Sequence, residues 1–354
     1  VRCLEYEAHE LEGKSSLKLV HPDYKNEVVD FYKNHFEKRV KSSYFEFPIV
    51  SKTGRIIWIG QHVTTLFKQG RKGYVSGFLA LARDITLKRE QQQTIQEQRD
   101  NITSSIRYAQ RIQLNLQPDE YDFRNSFEES FVIYKPKDIV SGDFYWIQRI
   151  ENKTILALGD CTGHGVPGAF MTLLGINLLH SIIIENRIIE ASGILNQLDQ
   201  RLIEALSSTQ QADNIKDGME MTILVYDHQS ANLQYACAGS RFLIYEESGF
   251  NMFKGDAKHI GDADFPDFKQ YVSHSILLDP ESTIYLLTDG FQDQFGGNRD
   301  KKYSFRRVLE TLEENIRLPL SEQKNMIESE FDRWRQDIEQ TDDVTVIGLR
   351  FPKK

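Results

Sequence analysis

Carboxylates set among small residues recur four times in the last two-thirds of this 354-residue chain. They are Ser141-Gly142-Asp143-Phe144, Gly159-Asp160-Cys161-Thr162-Gly163-His164-Gly165, Thr288-Asp289-Gly290 and Thr341-Asp342-Asp343-Val344-Thr345. Asp160 and Asp289 directly follow apolar runs, Ile155–Gly159 and Ile284–Thr288, and Asp342-Asp343 precede another, Val344–Ile347. A single Asp-Gly pair is usually a turn, and a lone strand-end Asp is usually a cap. Four such motifs at the ends of central strands can converge on one point, where they repel one another unless a cation neutralises them. Oxygen-only ligands select hard ions such as Mg2+ or Mn2+. Two such ions about 4 Å apart share a water, lower its pKa and clamp a phosphoryl group for in-line attack. The glycines around Asp160 let main chain approach an ion closely enough for a carbonyl to ligate it.

The elements that must carry these residues alternate along residues 119–352. Strands are expected at Phe131–Tyr134, Thr154–Gly159, Met221–Tyr226, Leu233–Ala238, Phe242–Glu246, Ser282–Thr288 and Val344–Arg350. Helices are expected at Gly168–Glu185, Ala191–Leu206, Phe305–Asn315 and Ser321–Ile338. Leu195, Leu198, Leu202 and Leu206 share one helical face, as do Ile327, Phe331, Trp334 and Ile338, which predicts core-facing stripes.

Residues from about Ile85 to Gln117 contain no Gly or Pro and are rich in Gln, Arg and Glu. Ile95, Ile102, Ala109 and Leu116 recur every seven residues, with Ile106 and Ile112 broadening the stripe. This spacing predicts a helix that pairs with a second helix as a dimeric coiled coil. Ahead of it, Tyr44–Val50 and Ile56–Ile59 flank Lys52-Thr53-Gly54-Arg55, a hairpin pattern; a third strand is expected at Val75–Ala82 and a helix around Val28–Val40.

Acidic residues number 52 against 43 basic, a formal net charge of −9. With basic clusters no longer than Lys38-Arg39 and Lys301-Lys302, nucleic acid is an unexpected partner. Cys3, Cys161 and Cys237 are far apart and lack zinc-type spacing, which suits buried thiols in a reducing compartment. No uninterrupted apolar run reaches the ~20 residues of a membrane span; the stretch at Ile182-Ile183-Ile184 ends at Glu185, and no leader peptide is read. The chain opens on Val and in mid-pattern, so an upstream N-terminus is expected.

Residues 119–352 resemble the metal-dependent protein phosphatase family, in particular its SpoIIE-like bacterial branch. The resemblance is carried by Ser141–Tyr145, Gly159–Ala169, Asp217-Gly218-Met219, Thr288-Asp289-Gly290 and Asp342–Thr345, and the Gly-Asp-x-x-Gly-His-Gly stretch is its most specific part. It implies a two-sheet β-sandwich flanked by helices, a centre of two Mn2+ or Mg2+ ions, and hydrolysis of phosphoserine or phosphothreonine on proteins. Carried over by position, Asp160 would bridge both ions. Asp143 and the Cys161 main-chain carbonyl would serve the second ion; Asp289 and Asp342 would serve the first, with Asp343 the alternate of the doublet. Asp217 and Asp293 would help hold a third, weaker ion. His164 carries two readings, a general acid for the leaving oxygen or a polar residue that orders the Gly-rich loop, and the second is preferred because only geometry can license the first. Cys161 is no nucleophile in this chemistry. The chain departs from the pattern at Ser141, often Gly in the family, and has only Lys135 and Lys137 before Asp143, where eukaryotic members hold phosphate with an Arg.

The first zone resembles the C-terminal part of a PAS domain through His21-Pro22-Asp23, Lys52–Trp58 and Ala82-Arg83-Asp84-Ile85-Thr86. His9, His21, His35 and His62 are read as surface or structural residues rather than haem ligands, and no flavin-type Cys motif is present.

The fold class expected is therefore α+β: a partial PAS-like sheet domain (1–85), a coiled-coil signalling helix (86–117) and a phosphatase domain (118–354). The activity expected is a sensor-regulated, cytoplasmic, bacterial phosphatase acting on a phosphoprotein, with an anti-sigma-factor antagonist as the substrate class the resemblance implies. The partners expected are that substrate and a second copy of the chain through 86–117, with neither nucleic acid nor membrane. Two alternatives stay open: an inactive dimeric scaffold and a metal-dependent hydrolase of small phosphates.

Overall fold

The computed structural model describes residues 4–68, 74–207, 217–262 and 270–352; Cys3 lies outside them. The chain divides into two compact units, Val1–Thr103 and Ser104–Lys354.

In the first unit, α1 (Ala8–Leu11) and α2 (Lys25–Glu37) precede β1 (Ser42–Val50), β2 (Ile56–Lys68) and β3 (Tyr74–Asp84). The strands form one antiparallel sheet in the order β1-β2-β3. The expected hairpin is present, with Val50 opposite Ile56, but β2 runs nine residues beyond Ile59 because its period-2 pattern continues through Val63 and Thr65. Val20, Val28, Phe47, Ile49, Ile57 and Ile59 make the core. His35 is buried and bonded to Thr65 Oγ1 (3.2 Å) and Ser43 Oγ (2.5 Å), a structural role. The helix expected after this sheet is α3 (Thr86–Leu116).

The second unit continues with α4 (Glu120–Ser126), β4 (Glu129–Lys135), β5 (Asp143–Ile150), β6 (Lys153–Cys161), α5 (Gly165–His180), α6 (Ala191–Ser207), β7 (Met219–Asp227), β8 (Asn232–Ala238), β9 (Arg241–Glu246), β10 (Gly249–Lys254), β11 (His274–Leu277) and β12 (Thr283–Leu287). It ends with α7 (Gly290–Asp293), the short β13 (Phe295–Gly296) and β14 (Lys301–Lys302), α8 (Phe305–Asn315), α9 (Leu320–Arg335) and β15 (Val344–Arg350). Two five-stranded antiparallel sheets result, ordered β11-β8-β7-β6-β5 and β10-β9-β12-β15-β4.

Strand periodicity makes the layers. On β6, Ile155 and Ala157 pack against α5 and α6, whereas Leu156 and Leu158 point the other way, into the space between the sheets. On β15, Ile347 and Leu349 meet them there, and Val344 and Val346 face α8 and α9. The unit is a sandwich of two sheets covered on both outer faces by helices.

Three expectations need correction. β5, β10 and β11 were not anticipated as strands; β5 starts on the acidic motif itself and ends in Gln148-Arg149, which hides its aromatic Phe144-Tyr145-Trp146 run. Helix α9 stops at Arg335, where Gln336 turns to φ 53°, so Ile338 is not on its stripe. Residues Gly165–Glu185, α5 plus one wide turn, do form a continuous helix of 21 residues with the length and hydropathy of a membrane span. Met171, Ile176, Leu179, Ile182 and Ile183 on it belong to the domain core.

Candidate metal centre

Antiparallel register brings the first acids together. Asp143 on β5 stands opposite Asp160 on β6, and Asp160 stands opposite Glu220 on β7. Directly opposed residues lie about 5 Å apart at Cβ, on one face of the sheet. That face is the one carrying Ile147, Leu156, Leu158, Leu224 and Tyr226, so the three carboxylates continue the inter-sheet core at its edge. The second sheet sends its acids to the same end: Asp289 follows β12, Asp342 and Asp343 precede β15, and these strands pair there with Leu287 opposite Val346.

Burial and mutual repulsion shape the charges. Asp143 is 1% exposed, and burial pushes its carboxyl up to about 8 despite hydrogen bonds to Oδ2 from Thr288 Oγ1 and Thr345 Oγ1, each 2.7 Å. Asp160 is raised well above the carboxylate range, first by burial and then by the fields of Asp143, Asp289, Glu220 and Asp342. Glu220 and Asp289 are raised by burial too, although Arg241 pulls both down. Asp289 keeps an exposed face, so the acids line an open cleft.

The doublet divides its work. Asp343 is 4% exposed, with Oδ1 accepting the Lys137 N–H and Oδ2 the Gly142 N–H, both at 2.7 Å. Asp342 faces Asp160 and Asp289, whose carboxyls its charge pushes up. Asp293 is paired with Lys302 Nζ at 3.0 Å. Among the described residues no hydrogen bond or ion pair joins the Asp217 side chain to the other acids.

The Gly-rich loop is packed main chain on main chain. A Cβ on Gly142 would lie 2.7 Å from the Gly163 carbonyl and 3.3 Å from that of Cys161, so only glycine allows this approach. His164 precedes the first turn of α5 and is exposed; its Nδ1 bonds Asp138 Oδ2 at 2.7 Å. Burial raises the Cys161 thiol, which lies against Thr172.

The donor set suits a hard cation: carboxylates and a carbonyl, with like charges gathered at the edge of an apolar interior. Among the described residues no three His, Cys, Asp or Glu side chains close tightly enough to enclose an ion alone. Waters would complete the shell, as Mg2+ prefers.

Two acidic residues escaped the sequence reading. Glu220 is a single acid in the apolar strand Met219-Glu220-Met221, and its parity with Leu224 and Tyr226 was the available signal. Asp138, the partner of His164, sits in a loop with no pattern to mark it.

The family model described as stage II sporulation protein E (SpoIIE) matches residues 150–352, and one described as a PAS fold matches residues 1–79. Among solved structures, the SiaA-PP2C domain of Pseudomonas aeruginosa is 30% identical over 72% of this chain and 98% of its own, with TM-score 0.64. The PP2C phosphatase domain and regulatory-domain fragment of SpoIIE from Bacillus subtilis is 20% identical over 64% of this chain and 63% of its own, with TM-score 0.49. No curated protein matches the chain.

Proposed function

The chain belongs to the SpoIIE family of PP2C-type serine/threonine phosphatases, and from that premise we propose that it removes phosphate from serine or threonine of a protein substrate, using two Mn2+ or Mg2+ ions in the cleft between its sheets. The observation that carries this reading is the row Asp143–Asp160–Glu220, opposed across three strands and faced by Asp289 and Asp342. Such a row of carboxylates favours a cation among them, which relieves their mutual repulsion without protonating them.

When bound, the ions would supply a water of lowered pKa and a clamp on the phosphoryl group. Asp160, central in the row, would serve as the ligand shared by both ions. Asp143 and the Cys161 carbonyl would hold one of them, with Thr288 and Thr345 fixing the Asp143 carboxylate through Oδ2. Asp289 and Asp342 would hold the other. Asp343 is assigned to the loop, because both its oxygens already accept main-chain N–H groups. The Lys302 pairing disfavours Asp293 as a ligand of a third ion, and Asp217 is left without that role. His164, held by Asp138, is assigned to ordering the Gly-rich loop.

Regulation follows from the order of domains. The PAS-like unit would sense a signal and pass it through α3, paired with its copy in a second chain, to the catalytic domain. A small phosphorylated antagonist of an anti-sigma factor is the substrate class proposed, in a bacterial cytoplasm.

Divalent-dependent phosphate release from a phosphoserine protein, with Asp160→Asn as control, tests the reading. Release by the wild type and none by the variant supports it. No release from any substrate favours the scaffold, and release from small phosphates alone favours the small-phosphate hydrolase.

A further inference from the structure

Among the described residues, Arg241 brings a guanidinium to the mouth of the cleft. Arg241 opens β9, and a cavity of about 130 Å3 beside it is lined by Glu220, Ser240, Thr288, Asp289 and Gln292 as well as Arg241 itself. The side chain is held from two directions. Its Nη2 donates to Gln292 Oε1 at 2.6 Å, and its guanidinium lies 4.2 Å over the ring of Phe305. Among the described residues no carboxylate stands within ion-pair distance of it, although its charge reaches both Glu220 and Asp289. The cationic fork is thus anchored by one hydrogen-bond acceptor, Gln292 Oε1, and by a ring face, and the residue lines the cavity.

We propose that Arg241 binds the non-bridging phosphoryl oxygens of the substrate and of the phosphate product. This rests on the phosphatase reading of the cleft and names the group that grips the anion. Carboxylates cannot donate hydrogen bonds to a phosphoryl group, and ions held by them reach only part of its oxygens. A planar, permanently charged fork matches two of those oxygens at once. Only Lys135 and Lys137 stand just ahead of Asp143 in sequence, whereas Arg241 reaches the same cleft from the opposite sheet. The cavity has room for several waters, which a tetrahedral anion would displace.

The test is a calorimetric titration of inorganic phosphate into the full chain in Mg2+, for the wild type, Arg241→Ala and Arg241→Lys. The expected result is a Kd for phosphate about tenfold weaker in the Ala variant, the scale of one charge-assisted fork. The Lys variant, which keeps the charge and loses the fork, should fall between. KM for p-nitrophenyl phosphate should rise in parallel, with kcat and the half-saturating Mg2+ concentration little changed. If the Ala variant fails to fold, the Lys variant decides. Unaltered phosphate affinity in the folded variants overturns the proposal, as does a shift in Mg2+ half-saturation alone, which would make Arg241 a counter-charge for the acids. Absence of phosphate binding by the wild type overturns it too. Failure of the phosphatase reading is separate: it appears as a wild type that releases phosphate from no substrate.

Discussion

Gln113 grips Ser141 by both main-chain groups: Nε2 donates to the Ser141 carbonyl at 2.6 Å, and Oε1 accepts the Ser141 N–H at 3.1 Å. Gln113 is 2% exposed and is the one buried residue described on α3. Two residues beyond Ser141 is Asp143, whose own N–H donates to Ser141 Oγ at 3.0 Å. The last turns of the linker helix are therefore wired to the strand that begins with the most buried acid of the cleft.

Replacing Gln113 with Ala leaves two buried main-chain groups without that partner, at a cost of about 1–3 kcal/mol. Thr172 still donates to the Ser141 carbonyl, so the loop should loosen rather than unfold. The expected outcome is a several-fold higher Mn2+ concentration for half-maximal activity, with a modest fall in Tm. Gln113→Glu, which sets a buried carboxylate against the Ser141 carbonyl, should be at least as damaging. A drop in Tm with unaltered metal dependence would reduce Gln113 to a packing role.

The doublet Asp342-Asp343 offers a sharper contrast, because neighbouring residues of one type do different things. Asp343→Asn removes one of two oxygens that accept the N–H groups of Lys137 and Gly142, and should cost roughly 1–3 kcal/mol of stability. Asp342→Asn deletes a charge facing Asp160 and Asp289 and should leave Tm unchanged or raised in EDTA, while activity is lost. Thermal melts in EDTA and assays in Mn2+ read the two effects separately. The reverse pattern would exchange the roles assigned here.

Asp160→Asn should abolish turnover and yet stabilise the metal-free protein. Burial and four neighbouring acids disfavour the ionised carboxylate, so its pKa in the fold lies above the unfolded value. Ionisation therefore costs stability above the unfolded pKa, and Asn escapes that cost near neutrality. The advantage should vanish below about pH 4, where the wild-type carboxyl is protonated in both states. Denaturant melts in EDTA across this pH range measure it; equal stability of wild type and variant at pH 7.5 would contradict the repulsion argued here.

What the sequence disclosed, and what it withheld, follows one rule. Asp143, Asp160, Asp289 and Asp342 were legible because each sits where an apolar run meets small residues, a local pattern. The division between Asp342 and Asp343 was not, since it depends on amides of Lys137 and Gly142 about 200 residues away. Glu220 was hidden because a lone acid in a strand acquires meaning only through register with Asp160. Arg241 likewise is an ordinary strand residue until the second sheet carries it to the cleft. The helix over 86–116 was legible to within a residue or so, because an unbroken run without Gly or Pro is itself the signal.

That helix supplies the last test. Ile95 and Ile102, seven residues apart, are 63% and 61% exposed on the single chain. Isolated exposed apolar residues are ordinary, but a seven-residue repeat on a polar helix gains by burying its stripe against a copy of itself. Ile95→Asp with Ile102→Asp places charge in that seam without touching Gln113 or the cleft. The wild type should sediment as a dimer and the double variant as a monomer of unchanged helix content. If the paired helices carry the signal, deletion of residues 1–117 should also change turnover, in part through loss of Gln113, whereas the double variant should change it with the Gln113–Ser141 contact intact. A monomeric wild type would remove the coiled coil from the proposal. A dimer whose turnover is indifferent to both changes would leave the pairing in place and remove its control of catalysis.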